Sequence, residues 1–260
     1  MGVDCFATPQ ECEERSVLGA VQLAEDQHIH GRNLSRYREG MGRPRTPKGR
    51  ARLTIERLAE EYPGTERELC ALRHDSPFQL LAATILSAQC TDTKVNEVTP
   101  ILFAAYPDAA ALCRADPEKV EEIIRPTGFF RAKTRSLIGM AAALEERFGG
   151  EVPTALEDLV TVPGVGRKTG NVVRSVAFGL PGLPVDTHVL RITKRLGLTE
   201  NDDPVKVEHD LNDLVPPDER GTFSLRTILH GRAVCKARRP DCVHCILCDF
   251  CPSVTSFRIG

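Results

Sequence analysis

From Leu53 onward the chain is a succession of short apolar patterns with helical spacing, and glycine or proline cuts off nearly every one. "RLTIERLAEEY" places Leu53, Ile55, Leu58 and Ala59 on roughly one helical face and halts at Pro63. "SPFQLLAATILSAQC" opens with Ser76 in a capping position and Pro77 at the first helical position, a strong start signal. "TKVNEVTPILFAAY", "DPEKVEEIIRPTG", "KTRSLIGMAAALEERFG" and "GNVVRSVAFG" keep the same period. No two alternating runs are joined by a hairpin turn, so a sheet has nothing to grow from. The expected fold class is all-α, in two helical lobes. A helical barrel is expected over residues 77–180, and a second lobe from 51–76 plus 181–255.

Ten cysteines need explaining. The N-terminus has no basic start followed by an apolar block, so no secretory signal is read there, and without export disulfides are not expected. No apolar run approaches the ~20 residues of a membrane span. The expectation is a cytoplasmic monomer. Cys5, Cys12, Cys70, Cys90 and Cys113 are scattered and read as small apolar residues. Cys235, Cys242, Cys245, Cys248 and Cys251 crowd into one C-terminal segment. Taken without Cys248 they have the spacing C-x6-C-x2-C-x5-C, which suits tetrahedral zinc or an iron–sulfur cluster equally well. Cys242, Cys245, Cys248 and Cys251 also form successive C-x2-C steps, so one thiol is spare.

Charge is placed unevenly. The net charge is -2, which argues against a uniformly basic coat protein but not against basic faces. Between His28 and Arg50, seven Arg and Lys residues stand against Glu39 alone, and residues 1–50 read as a disordered basic arm. Lys236, Arg238 and Arg239 lie between the first two cysteines of the C-terminal group.

"TVPGVGRKTGNVV" (Thr161 to Val173) sets the tightest turn of the chain beside a lysine. It parses as helix, turn, helix. Gly164 and Gly166, flanking Val165, let main-chain N–H groups at a helix entry, with Arg167, come close to a phosphate. Such a hairpin grips a nucleic-acid backbone without reading bases, although many plain helix connections look the same. Lys168, in the first helical turn beside Arg167, faces the unfavourable end of the macrodipole. Both effects favour the neutral amine, the nucleophilic form; a phosphate contact by a point charge is the other reading. Asp186 precedes the helical run "THVLRITKRLG", where an N-cap is the default role and a carboxylate beside a reacting centre the functional one.

With these fragments in order, the chain resembles the endonuclease III family of DNA glycosylases, in the helix-hairpin-helix superfamily. The resemblance runs from about Leu53 to Pro252, on "LSAQCTDTKVN", "RPTGFFRAKTRSL", "VPGVGRKTGNVV", "VDTH" and "ILHGRAVCKARRPDCVHCILCDFC". It implies a bifunctional glycosylase and AP lyase of base excision repair, acting on oxidised pyrimidines and abasic sites in duplex DNA in the bacterial nucleoid. Lys168 would be the nucleophile, forming a Schiff base at C1′ and nicking by β-elimination, with Asp186 as its acidic partner. Gln89 and Phe129 would be the wedges filling the stack when a nucleotide is extruded, with Phe130 as the alternate. Cys235, Cys242, Cys245 and Cys251 would hold a 4Fe-4S cluster, leaving Cys248 unligated, and Lys236, Arg238 and Arg239 would face phosphates. Gly170 departs from the family's usual alanine, at an expected cost to the helix of ~1 kcal/mol. A mismatch adenine glycosylase, or a non-catalytic DNA-binding module with structural zinc, are the alternative readings.

Overall fold

The computed structural model describes residues 44–257, and among them there is no β-strand. The helices are α1 (Pro47–Glu61), α2 (Glu66–Leu69), α3 (Pro77–Leu86), α4 (Asp92–Ala105), α5 (Ala109–Cys113), α6 (Pro117–Ile124), α7 (Phe130–Phe148), α8 (Leu156–Leu159), α9 (Arg167–Phe178), α10 (Thr187–Arg195), α11 (Pro204–Asn212) and α12 (Arg220–Ala233). Short 3-10 turns lie at Arg125–Thr127, Pro217–Glu219 and Pro252–Phe257. No described helix is long and apolar enough to cross a membrane.

Two compact units share the chain. The first takes residues up to Leu69, Thr187–Val215 and Leu225 onward; the second takes Cys70–Asp186 and Pro216–Ser224. Local bonds explain why the second unit reaches beyond residues 77 and 180. The Asn96 side chain of α4 accepts from the Arg73 N–H at 2.9 Å and donates to the Ala71 carbonyl at 2.8 Å, drawing in the segment before α3. Ser224 donates its hydroxyl to the Pro184 carbonyl, drawing in the start of α12.

In the second unit the core is aliphatic: Leu80, Leu81, Leu86, Leu102, Leu137, Met140 and Leu144 are fully enclosed. Its helices begin where the sequence caps them. Ser76 accepts from the Gln79 N–H at 3.2 Å, Thr91 from Lys94 at 3.3 Å and Asp108 from Ala111 at 2.7 Å. Each such cap is worth ~1 kcal/mol.

In the first unit α1 departs from its simple pattern. Ile55 and Ala59 are only half-buried, whereas Thr54 and Arg57 are buried with Leu53 and Leu58. The expected arm of residues 1–50 lies outside the described residues as far as residue 43, and its end is helix rather than tail. Thr46 accepts from the Gly49 N–H at 3.1 Å and Pro47 takes the first helical position, so α1 starts inside the basic stretch. Arg50 is held by the Leu196 and Gly197 carbonyls, at 2.6 and 2.7 Å, where α10 ends. A cation there complements the helix dipole.

Candidate active site and cysteine loop

The hairpin is built by what its glycines omit. Gly164 has φ 80°, and a Cβ on it would lie 2.8 Å from the Ser136 Cβ of α7. Gly166 precedes α9 with no side-chain cap, and nothing lies within 4 Å of where its Cβ would be. Val165 is buried between them and donates its N–H to the Val162 carbonyl at 3.0 Å. The turn is thus closed on its inner face and open at the helix entry, where first-turn N–H groups collect partial positive charge.

Lys168 stands exposed in that first turn and makes no ion pair with any described residue. Gly170, one turn behind the entry, is not a flaw in the helix. A Cβ there would lie 2.7 Å from Leu156 Cδ1 and 3.5 Å from Leu159 Cβ, so its absence lets α8 press against α9. The expected propensity cost is offset by that approach.

After Gly179, a left-handed C-cap with φ 62°, the chain turns back along α9. A Cβ on Gly182 would meet the Asn171 carbonyl oxygen at 2.5 Å, and Arg174 donates to the Pro181 carbonyl at 3.2 Å and the Thr154 carbonyl at 2.6 Å. The returning segment therefore lies against the helix one turn beyond Lys168 before delivering Asp186, half-buried, at the entry to α10. Lys168 and Asp186 belong to the same unit.

Gln89 and Phe129 share a property that the sequence does not show. Among the described residues they are the non-glycine residues with positive φ, 52° and 47°. Both are exposed, Phe129 by 66%. Left-handed backbone costs an ordinary residue ~1–2 kcal/mol, and here it turns a large side chain outward. A Ser87–Cys90 turn holds the first loop, with an N–H···O distance of 3.1 Å. Beneath the second, buried Lys133 donates to the Thr127 carbonyl at 2.8 Å; desolvation lowers its pKa. Phe130, half-buried, lies under the Arg125 and Arg131 guanidinium groups, at 5.2 and 5.7 Å from its ring centre.

The C-terminal cysteines lie in the other unit. Cys235, Cys242, Cys245, Cys248 and Cys251 all line one cavity with Arg195. Burial pushes the Cys245 thiol well up, and the neighbouring Cys235, Cys248 and Cys251 push it further in the same direction. Cys251 is raised too, again chiefly by burial. A set of thiolates here needs a cationic centre to balance it. Among the described residues no group of three or more His, Cys, Asp or Glu closes on a position for a single metal ion.

Polar bonds hold this loop from several sides. Arg195 donates to Cys235 Sγ at 3.1 Å and to the Lys236 and Ala237 carbonyls at 2.9 and 2.8 Å. Arg191 donates to the Cys235 carbonyl at 3.0 Å. Beside these fixed carbonyls, Lys236, Arg238 and Arg239 stand exposed. Arg57, 5% exposed, pairs with both Asp249 oxygens at 2.5 and 3.0 Å and lies 5.1 Å from the Phe250 ring centre. His230, 1% exposed, approaches Cys245 Sγ at 3.4 Å; desolvation lowers its pKa to about 4. None of Arg57, Arg191, Arg195 or His230 was singled out from sequence for this loop. The i, i+4 spacing of Arg191 and Arg195 on α10 was the available signal.

Residues 82–217 match the HhH-GPD superfamily of base excision DNA repair proteins. Endonuclease III of Synechocystis is 51% identical over 79% of this chain and 93% of its own length. The chain belongs to the endonuclease III family. Endonuclease III of Bacillus subtilis is 40% identical over 76% of this chain and 89% of its own length. Two solved structures superpose with a TM-score of 0.76. One is a non-covalent endonuclease III–DNA complex, 39% identical, covering 82% of this chain and 99% of that one. The other is a trapped endonuclease III–DNA covalent intermediate, 40% identical with the same coverage.

Proposed function

We propose that the chain is a bifunctional DNA glycosylase and AP lyase of base excision repair, with Lys168 as nucleophile and Asp186 as its acidic partner. The observation that carries the reading is the exposed Lys168, which makes no ion pair with any described residue, in the first turn of a helix without a side-chain cap, within an endonuclease III frame. A relative 40% identical was trapped as a covalent intermediate with DNA, and a covalent bond to DNA is what a nucleophilic amine here would form.

The hairpin amides of residues 164–167 bind a phosphate of the damaged strand, which sets the neighbouring sugar beside α9. Gln89 and Phe129, turned outward by left-handed backbone, occupy the stack as the damaged nucleotide leaves it. The Lys168 amine attacks C1′ and gives up a proton as the base departs with the glycosidic electron pair; the nitrogen lone pair then opens the C1′–O4′ bond, O4′ takes a proton, and the ring-opened iminium forms. Asp186 stabilises the positive charge developing on the sugar. Loss of a C2′ proton then breaks the C3′–O bond by β-elimination, and water hydrolyses the iminium to free the lysine. The substrates are oxidised pyrimidines and abasic sites in duplex DNA, and the setting is the bacterial nucleoid, where the protein acts as a monomer.

A 4Fe-4S cluster fits the cysteine loop. The thiols gathered around one cavity are the sulfur donors that such a cluster takes. Cys235, Cys242, Cys245 and Cys251 would hold it, and bound there it would neutralise the thiolates. Lys236, Arg238 and Arg239 then present positive charge to phosphates from a fixed loop.

Borohydride reduction during incubation with abasic duplex DNA tests the central step. A covalent adduct with the wild type that is absent in Lys168→Ala is expected. No adduct with the wild type would sink the lyase assignment.

A further inference from the structure

His230 sits where two parts of the cysteine loop meet. Its carbonyl accepts the Cys235 and Val234 N–H groups at 2.8 and 2.9 Å as α12 ends. Its ring reaches the other side of the loop, with Nε2 3.4 Å from Cys245 Sγ. Nδ1 lies 3.5 Å from the Tyr62 hydroxyl, and the two rings meet edge-on with centroids 6.3 Å apart. Tyr62 is itself positioned: Arg226 donates to its carbonyl at 3.0 Å, and its own N–H continues α1 to Leu58 at 2.9 Å.

The direction of these bonds follows from the donor inventory. A cluster-ligating cysteine carries no proton, so Sγ can only accept and Nε2 must carry the hydrogen. A neutral imidazole has one N–H, which leaves Nδ1 as an acceptor. The group facing Nδ1 is a phenol, able to donate. Tyr62 O–H to Nδ1 and Nε2–H to Sγ is therefore a self-consistent chain with no unmatched member.

We infer that His230 is a positioning residue for the cluster. Its ring donates a hydrogen bond to the Cys245 sulfur, Tyr62 fixes the tautomer that does so, and together they raise the cluster's reduction potential. This rests on the cysteine loop holding a cluster. Reduction adds negative charge to the iron–sulfur core and its thiolates, and a donor on sulfur stabilises the more negative state. Arg195 serves Cys235, at 3.1 Å, by the same principle. The loop thus shields two of its sulfurs with donors that come from helices rather than from the loop itself.

The test is the midpoint potential of the full chain by protein-film voltammetry, with iron and sulfide content measured on each sample. His230→Leu should load iron and shift to lower potential. His230→Gln, whose amide N–H reaches a similar distance, should return most of that shift. Tyr62→Phe should shift in the same direction by less. Wild type and His230→Leu at one potential with equal iron would overturn the inference while leaving the cluster reading intact. Wild-type protein without iron would overturn both. Should His230→Leu not fold, Tyr62→Phe decides: a lowered potential supports the tautomer chain, and an unchanged one rejects it.

Discussion

The hairpin that carries Lys168 and the loop that carries the cysteines are fixed in opposite ways. At the hairpin, position comes from missing atoms: Gly164 tucks against Ser136, Gly170 against Leu156, and Lys168 is left exposed without an ion pair to any described residue. In the cysteine loop, position comes from added partners: Arg57 on Asp249, Arg195 on Cys235 and on two carbonyls, and His230 on Cys245. A group that must react is best kept free of competing bonds. Thiols gathered around one cavity are instead held by enclosure and hydrogen bonds. The contrast says that Lys168 should be almost silent for stability and decisive for chemistry, and the partners of the loop the reverse.

Lys168→Ala is the sharpest test of that contrast. Strand nicking at an abasic site should fall by at least about a thousandfold, as for loss of a nucleophile. Denaturant unfolding should change by no more than about 0.5 kcal/mol, as for an exposed unpaired side chain. A large loss of stability would mean that the amine has a structural partner and would break the comparison.

Asp249→Ala reverses the expectation. It leaves the buried Arg57 guanidinium without its carboxylate, and removing one partner of such a pair costs about 3–5 kcal/mol. Chemical unfolding followed by circular dichroism reads the loss. Adduct formation per folded molecule should be nearly unchanged, and a collapse of chemistry without a loss of stability would contradict the division of labour.

Gly164→Ala asks whether the hairpin depends on its missing atoms. The left-handed backbone alone should cost about 1–2 kcal/mol, and the Cβ would collide with Ser136. Affinity for undamaged duplex should fall as well, since the same turn offers the amides. Wild-type stability and affinity would show that the turn relaxes freely.

Neutralising Arg238 and Arg239 together touches neither fold nor chemistry. The slope of log affinity against log salt should drop by about two, uniformly across lesions, if each contacts one phosphate. An unchanged slope would return the loop to solvent. Gly170→Ala should have the smallest effect, within about 0.5 kcal/mol of wild type. A helix-propensity gain of ~1 kcal/mol opposes displacement of the Leu156 methyl.

Residues whose role depends on local pattern were legible in advance. Ser76 and Pro77 mark a helix start in any context, and the structure uses them so. "VPGVG" ends one helix and begins another because two glycines within three residues cannot continue either. Residues whose role depends on a distant partner were not. Arg57 looks like a solvated position on α1, and partners far along the chain, Asp249 and the Ile246 carbonyl, take it inside. The end of the basic stretch read as tail because nothing near Arg50 shows the carbonyls of residues 196 and 197 that receive it.

By itself, then, the sequence determined the helical class, the hairpin and the crowding of thiols in one segment, since each depends on spacing between near neighbours. Tertiary structure alone decided that Gln89 and Phe129 turn outward on left-handed backbone. It also decided that the segment after Gly179 returns along α9 to bring Asp186 back, and that His230 and Arg195 face the thiols. Backbone sign and side-chain pairing are set by which surfaces exclude water together. That is a property of the folded whole and is written in no short stretch of chain.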